Sequence, residues 1–317
     1  MSLDPGAARV LRMLAGLEAN DAVASAAERR QALRQLAGMA ADPPAPDVIA
    51  EPLTYRRRGP RGALRLRRYR TRAVGEAPGG LIVYLHGGGW VAGDLDTHDG
   101  VCRTLVLHSG CQVIAADYRR PPEHPFPAAV DDAIDVAVWA RARARAWGAD
   151  PSKLVLAGDS AGGNLAAVAT GGLIASGRPA PALLVLLCPI LDLAATYPSR
   201  AEFAEGYFLN PRQMRADLAA YLGAAGDSSS PLASPMAIAD VSGFPPTHLH
   251  LAQYDPFRDE GLAFTARLIA SGVPAQAEVH AGMIHYFYAL PRLVPAARPV
   301  LAAIGAEVAA ALGRVKS

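Results

Sequence analysis

Short apolar runs recur along this chain, each closed by glycine, proline or a polar residue, with longer Ala- and Leu-rich stretches between them. Residues 247–252 read as a strand, and residues 81–85, 112–117, 153–157 and 183–188 are too short for helices and almost continuously apolar. That pattern predicts strands buried on both faces of a parallel sheet. Residues 275–280 alternate instead, as a strand with one open face does, and further strands are predicted near 50–57 and 63–70, with a turn from Gly75 to Gly80. Helical composition covers 3–19 and 21–38, broken near Asn20-Asp21, after which Asp42-Pro43-Pro44-Ala45-Pro46 makes a stiff connector. A long helix is expected over 127–147, ended at Gly148, and an amphipathic closing helix over 294–313. Residues 192–235 leave this strand–helix rhythm, carrying Tyr207, Phe208, Leu209, Met214, Tyr221 and Leu222 as scattered large apolar groups.

One strand meets a motif. Residues 153–157 lead into Gly158-Asp159-Ser160-Ala161-Gly162, and Gly163-Asn164-Leu165-Ala166-Ala167 continues as a helix. Strand, Gly-x-Ser-x-Gly and helix describe a turn so sharp that the serine is held in a strained backbone, its Oγ lifted above the sheet. Alone, those five residues also fit a glycine-rich helix start. The strand at 81–85 supplies a second part, because it runs into His86-Gly87-Gly88-Gly89-Trp90. Three glycines after a strand leave backbone N–H groups free to face a ligand oxygen, and acyl transfer needs such donors for its tetrahedral oxyanion. The N–H groups of Gly87 and Gly88 are expected in that role, joined by that of Ala161 after the serine. A phosphate loop is a poor alternative, since Gly-Lys-Ser/Thr is lacking and Gly-x-Gly-x-x-Gly does not follow this strand. His86 is expected to fix the glycine loop by hydrogen bonding rather than to move a proton.

A serine hydroxyl attacks only when a base takes its proton, and the base needs an orienting carboxylate. On this architecture the chain order is Ser, then Asp or Glu, then His. Asp255 closes the strand at 247–252 and so stands on the same rim as Ser160; Asp259 and Glu260 read as charges at a helix start. His285 follows the strand at 275–280 in a loop and is the expected base. His280 at the strand end reads as structural, and His98, His108, His124, His248 and His250 precede the acid.

These residues resemble the bacterial hormone-sensitive-lipase-like esterases of the α/β-hydrolase superfamily, in the Gly-Asp-Ser-Ala-Gly branch. The likeness rests on the glycine loop, Gly93-Asp94, Thr97-His98-Asp99, Asp117-Tyr118-Arg119 and Pro122-Glu123-His124-Pro125-Phe126-Pro127. It continues through the serine motif to Asp255-Pro256-Phe257-Arg258-Asp259-Glu260, over residues 81–287. It implies an α/β-hydrolase fold with an eight-stranded, mostly parallel sheet flanked by helices and a helical cap. It also implies cofactor-free hydrolysis of short- to medium-chain acyl esters. The expected division is N-terminal cap helices in 1–45, core in 46–191, a second cap segment in 192–235 and core again in 236–317. Trp90, Phe208 and Phe287 are the expected pocket walls. Two departures stand out: Arg120-Pro121 where the family has Leu-Ala, and Tyr286-Phe287 where it has Gly-Phe. An amidase or prolyl-oligopeptidase-type peptidase shares the elbow, and receptor-like relatives have lost the base that His285 retains.

Composition narrows the rest. The 317 residues are 51% hydrophobic and 19% charged, with net charge +2, which suits one large core. Lys153 and Lys316 are the only lysines. The single basic stretch, from Arg56 to Arg72, alternates through Leu64, Leu66 and Tyr69 as a solvated strand face would, and no nucleic-acid motif accompanies it. Cys102, Cys111 and Cys188 are odd in number and lack metal spacing, so buried thiols in a cytoplasmic protein are expected. Neither a membrane span nor a leader is read. By analogy with the family, the edge strand at 275–280 is the expected seam of a homodimer.

Overall fold

Eight strands form one sheet, ordered β1-β2-β4-β3-β5-β6-β7-β8. They are β1 (Val48–Arg56), β2 (Ala63–Thr71), β3 (Gly79–Leu85), β4 (Gln112–Asp117), β5 (Ala149–Asp159), β6 (Leu183–Leu187), β7 (Thr247–Tyr254) and β8 (Ala275–Ile284). The second strand runs antiparallel to β1 and β4, and every other pairing is parallel. The computed structural model describes residues 2–15, 23–57, 62–72, 79–224 and 226–313. The expected break at Asn20-Asp21, positions 75–78 of the expected turn, and Arg58, Arg61 and Lys316 lie outside them, while Gly79 and Gly80, expected in that turn, open β3.

Nine helices complete the described chain: α1 (Pro5–Ala15), α2 (Ala26–Ala40), α3 (Asp99–Ser109), α4 (Ala128–Arg143), α5 (Ala161–Ala175), α6 (Pro198–Glu202), α7 (Pro211–Leu222), α8 (Arg258–Ala270) and α9 (Ala297–Ala311). Parallel strands need such crossovers, and the helices cover both faces. One apolar cluster joins the sheet to α4, α5 and α8; the other joins it to α1, α2, α3 and α9. Among the described residues no helix is long and apolar enough to cross a membrane.

Several boundaries differ from the sequence reading. The fourth helix stops at Arg143 and tightens into a 3₁₀ turn over Ala144–Trp147 before Gly148, which is left-handed with φ 71°. The eighth strand runs four residues past His280, because Gly282 (φ 77°) lets the chain accommodate a register shift opposite β7 and continue. His280 is therefore inside the strand, and His285 directly follows its last residue.

The arginines of β2 face charge partners across the surface: Arg67 pairs with Asp96 at 2.7 Å, Arg70 with Glu51 at 2.6 Å, and Arg65 with Asp117. Leu64 and Leu66 alternate with exposed or half-buried neighbours as read, but Tyr69, three residues on, is buried on the opposite face of the sheet, so the strand has no single solvated face. All three cysteines are buried, and none forms a disulfide among the described residues. The segments expected to form a cap meet: Arg29 of α2 pairs with Asp217 of α7 at 2.9 Å, and Gln213 bonds the backbone of Ala24. The first helix instead packs on the core, where the Asp4 N–H donates to Gly282 O at 3.0 Å.

Candidate active site

Ser160 follows the last residue of β5 and caps α5, with φ 52° and ψ −119°. L-residues rarely adopt a positive φ, and here the strain is imposed by crossing backbones. A Cβ on Gly162 would lie 2.0 Å from Leu85 O and 2.4 Å from His86 O, and one on Gly158 would lie 2.4 Å from Gly162 O. No larger residue fits either place. The Ser160 N–H donates to Leu187 O at 2.8 Å, and its carbonyl accepts from Ile190 N at 3.2 Å, so the turn is tied to the exit of β6.

Asp255 stands one residue past β7 and His285 one residue past β8, at the same carboxyl edge of the parallel sheet. His285 Nδ1 and Asp255 Oδ2 are 2.7 Å apart, with both side chains buried. The other carboxylate oxygen accepts from Phe257 N at 2.9 Å, which fixes the plane of the acid. The Cys188 thiol also bonds to Asp255, and burial followed by that carboxylate's charge pushes the thiol well up, so it stays protonated. Sγ of Cys188, an Asp255 oxygen and a His285 nitrogen lie within 4.8 Å of one another. Since Cys188 follows the strand exit that holds Ser160, these contacts bring serine, base and acid to one place. Among the described residues no hydrogen bond joins Ser160 Oγ to His285. Asp259 and Glu260 do not join them: Asp259 accepts from Ser199 N at 2.9 Å, and buried Glu260 pairs with Arg200 at 2.5 Å.

The glycine loop corrects one expectation. The Gly87 N–H donates to Asp159 Oδ1 at 2.9 Å and is not available to an oxyanion. Among the described residues no hydrogen bond uses the N–H of Gly88, Gly89 or Ala161, so in the glycine loop the open donors sit one residue further along than expected, while Ala161 stands as expected. Asp159, which the motif treats as a filler, holds the loop. Its Oδ1 also accepts from Tyr84 Oη at 2.7 Å, while Oδ2 meets His98 Nε2 at 3.1 Å and Tyr288 Oη at 2.9 Å. Burial opposes its ionisation, yet His98 and the two tyrosines hold the carboxyl below its ordinary range. Sequence reasoning missed this hub because its partners are far apart in the chain. Cys188 was better signalled, as the last residue of an apolar run that ends on the functional rim.

His86 does brace the loop: Nδ1 lies 2.9 Å from Gly87 O, and the ring stacks on Tyr118 at 4.2 Å. Burial, then His98 and Arg120, pushes it down to about 4. A folded value below the unfolded 6.5 means the unfolded chain binds more protons between those pH values. Stability therefore falls as pH drops from 6.5 toward 4, by at most about 3 kcal/mol from this group. His250, also pushed to about 4, adds in the same window. Melting curves of parent and His86→Asn from neutral pH to 4 separate the two: the variant should show the shallower loss, and parallel curves would remove His86 from the account.

The expected pocket walls divide. Phe208 is half-buried, its ring 6.1 Å from that of His285. Trp90 is instead stacked on Tyr221 of α7 at 4.3 Å and is 2% exposed, so its face is spent on packing. Phe287 is 0% exposed against His280 and Tyr288, in the core on the α9 side. Tyr286, the departure from the family's glycine, has φ 66° and a buried ring edge-on to His98 at 5.6 Å, with its hydroxyl donating to Thr97 O at 3.3 Å. The backbone there is one that glycine adopts freely, and packing holds a tyrosine in it.

Residues 82–289 match the family described as alpha/beta hydrolase fold. The chain is 38% identical over 256 residues to a carboxylic ester hydrolase, LipN, of Mycobacterium tuberculosis, spanning 79% of this chain and 68% of that one. It is 33% identical over 302 residues to an ethyl acetate hydrolase of Pseudomonas putida, 93% of this chain and 94% of the other. Among solved structures, an ester hydrolase from the metagenome of Lake Arreo, complexed with a bipyridine phosphonate derivative, superposes with a TM-score of 0.92 at 34% identity, over 98% of this chain and 99% of its own. A hyperthermophilic esterase of Pyrobaculum calidifontis gives 0.90 at 36% identity, over 98% and 99%.

Proposed function

The chain belongs to the hormone-sensitive-lipase-like esterases of the alpha/beta hydrolase fold and is a carboxylic ester hydrolase, and we propose that it cleaves short- to medium-chain acyl esters through an acyl-enzyme on Ser160. His285 takes the serine proton as the hydroxyl attacks the ester carbonyl, and Asp255 holds the imidazole and balances its charge. The N–H groups of Gly88, Gly89 and Ala161 receive the oxyanion. His285 then protonates the leaving alcohol, and water repeats the sequence to free the acid. The observation that carries this reading is the buried 2.7 Å pair of His285 and Asp255 on the rim where Ser160 is held at φ 52°.

The second helix and the segment 192–235 are read as the cap over this rim, while the first helix, expected with them, lies on the core. The seventh helix lies on the glycine loop: a Cβ on Gly89 would meet Asp217 Oδ2 at 2.4 Å, beside the Trp90–Tyr221 stack. Phe208 is the wall that the cap offers to an acyl chain. The outer edge of β8, which pairs only with β7 among the described residues, is the surface on which a second copy would add.

The test is hydrolysis of p-nitrophenyl esters from acetate to palmitate, with matched anilides and a fluorophosphonate probe alongside. Rates should peak at short or middle chains, anilides should be cut far more slowly, and the probe should label Ser160. A maximum at palmitate would overturn the chain-length assignment; equal turnover of anilides would shift the reading to an amidase.

A further inference from the structure

On the sheet face covered by α9, midway along β7 and β8, lies a cluster that the ester chemistry does not use. His248 and His250 share one face of β7 by their spacing of two, as Glu278 and His280 do on β8. The pairing His250↔Glu278 and Ala252↔His280 brings these faces together. His250 Nδ1 and His280 Nε2 are 3.3 Å apart, with the rings tilted by only 13°. The Glu278 carboxylate stands 3.9 Å from His250 Nδ1 and 3.5 Å from His280 Nδ1. One donor atom from each of these three residues falls within a 4.8 Å span. Behind them, Glu307 of α9 reaches to 3.5 Å from both His250 Nε2 and His248 Nδ1, yet neither nitrogen makes a hydrogen bond.

From this arrangement we infer that His250, His280 and Glu278 bind one divalent transition-metal ion of the zinc class, with Glu307 orienting His250 from behind. A tetrahedral zinc with Zn–N bonds of about 2.0–2.1 Å separates its donors by roughly 3.3 Å, and the two imidazole nitrogens already stand 3.3 Å apart. The glutamate side chain is 60% exposed, so it is free to swing onto the ion and marks the route of entry, while the histidines are 3% and 6% exposed and preset. With its Nε2 proton turned toward Glu307, His250 keeps the Nδ1 lone pair for the metal, the arrangement by which an outer carboxylate fixes a ligating imidazole. Two nitrogens in three donors select zinc, cobalt or nickel over calcium or magnesium, which demand oxygen.

Equilibrium dialysis of the whole protein against Zn²⁺ and against Co²⁺ tests this. One ion should bind per chain, Co²⁺ should show the visible absorption of a four-coordinate site, and Ca²⁺ and Mg²⁺ should not compete. The Glu307→Gln variant should bind about 10-fold more weakly, and Glu278→Gln and His280→Gln about 100-fold or more. The exposed position of Glu278 makes its variant safe for folding, which circular dichroism checks. Absence of binding at millimolar metal would overturn the site. So would undiminished binding in Glu278→Gln and His280→Gln, and there zinc inhibition of ester hydrolysis would place the ion on Cys188, Asp255 and His285 instead.

Discussion

Replacing Ser160 by alanine should lower kcat by on the order of 10⁴-fold or more and leave the fold intact. In the proposed reaction the hydroxyl supplies the nucleophile, and the neighbouring Cys188 thiol is buried, protonated and bonded to Asp255. No described residue hydrogen-bonds Ser160 Oγ, which is absent from the buried polar atoms left without a partner, so its loss strands none of them. Alanine inherits the same strained φ of 52°, and the melting temperature should stay close to that of the parent. The residual rate above water comes from the glycine loop and from substrate binding, which the substitution leaves in place. Turnover near the parent value in a folded Ser160→Ala would end the assignment of the nucleophile.

The second large effect is expected at Asp159. Asp159→Ala should cost about 3–5 kcal/mol of stability, as removal of one member of a buried charged network does, and about 10²-fold in kcat through the glycine loop. The carboxylate is wholly buried and accepts from Tyr84, Tyr288 and the Gly87 N–H while pairing with His98. Without it, four groups lose their partner, and the segment from His86 to Trp90 loses the contact that ties it to the serine turn. Asparagine keeps the shape, and both tyrosine hydroxyls can turn to suit it, but the amide offers one oxygen where the carboxylate has two. An intermediate effect is therefore expected for Asp159→Asn. Because its folded carboxyl titrates below the ordinary range, this stabilisation is present above that range and fades only as the solution becomes strongly acidic. Thermal melts and kcat measured together decide the matter: a stable Asp159→Ala with full activity would show that the loop holds itself.

Local pattern made the strands and the elbow legible. Residues 112–117 were read to the residue, because a buried strand in a parallel sheet needs continuous apolar side chains and ends where they end. The elbow was legible because Gly158 and Gly162 are required by backbone crossings that no other residue survives. Asp255 and His285 were legible from order alone, since parallel strands deliver their carboxyl ends to one rim. Where several segments compete for the same group, that reasoning stopped. Whether the N–H of Gly87 or that of Gly89 is left open to a ligand oxygen depends on Asp159, 72 residues from Gly87, taking the first of them. Whether Trp90 and Phe287 face a ligand or the core depends on how α7 and α9 close over them.

What the chain determined by itself was thus the strands, the elbow and the residues at the strand ends, all consequences of interactions within a few residues or of backbone geometry, whereas α3, α6 and α7 were not legible in it. Tertiary structure alone decided how donors and rings are shared out: Asp159 to the glycine loop, Cys188 to the acid, Trp90 to Tyr221, and two histidines with Glu278 to one another. A hydrogen bond or a ring face can be used once, and the partner that takes it is chosen by proximity in space, which local sequence does not encode.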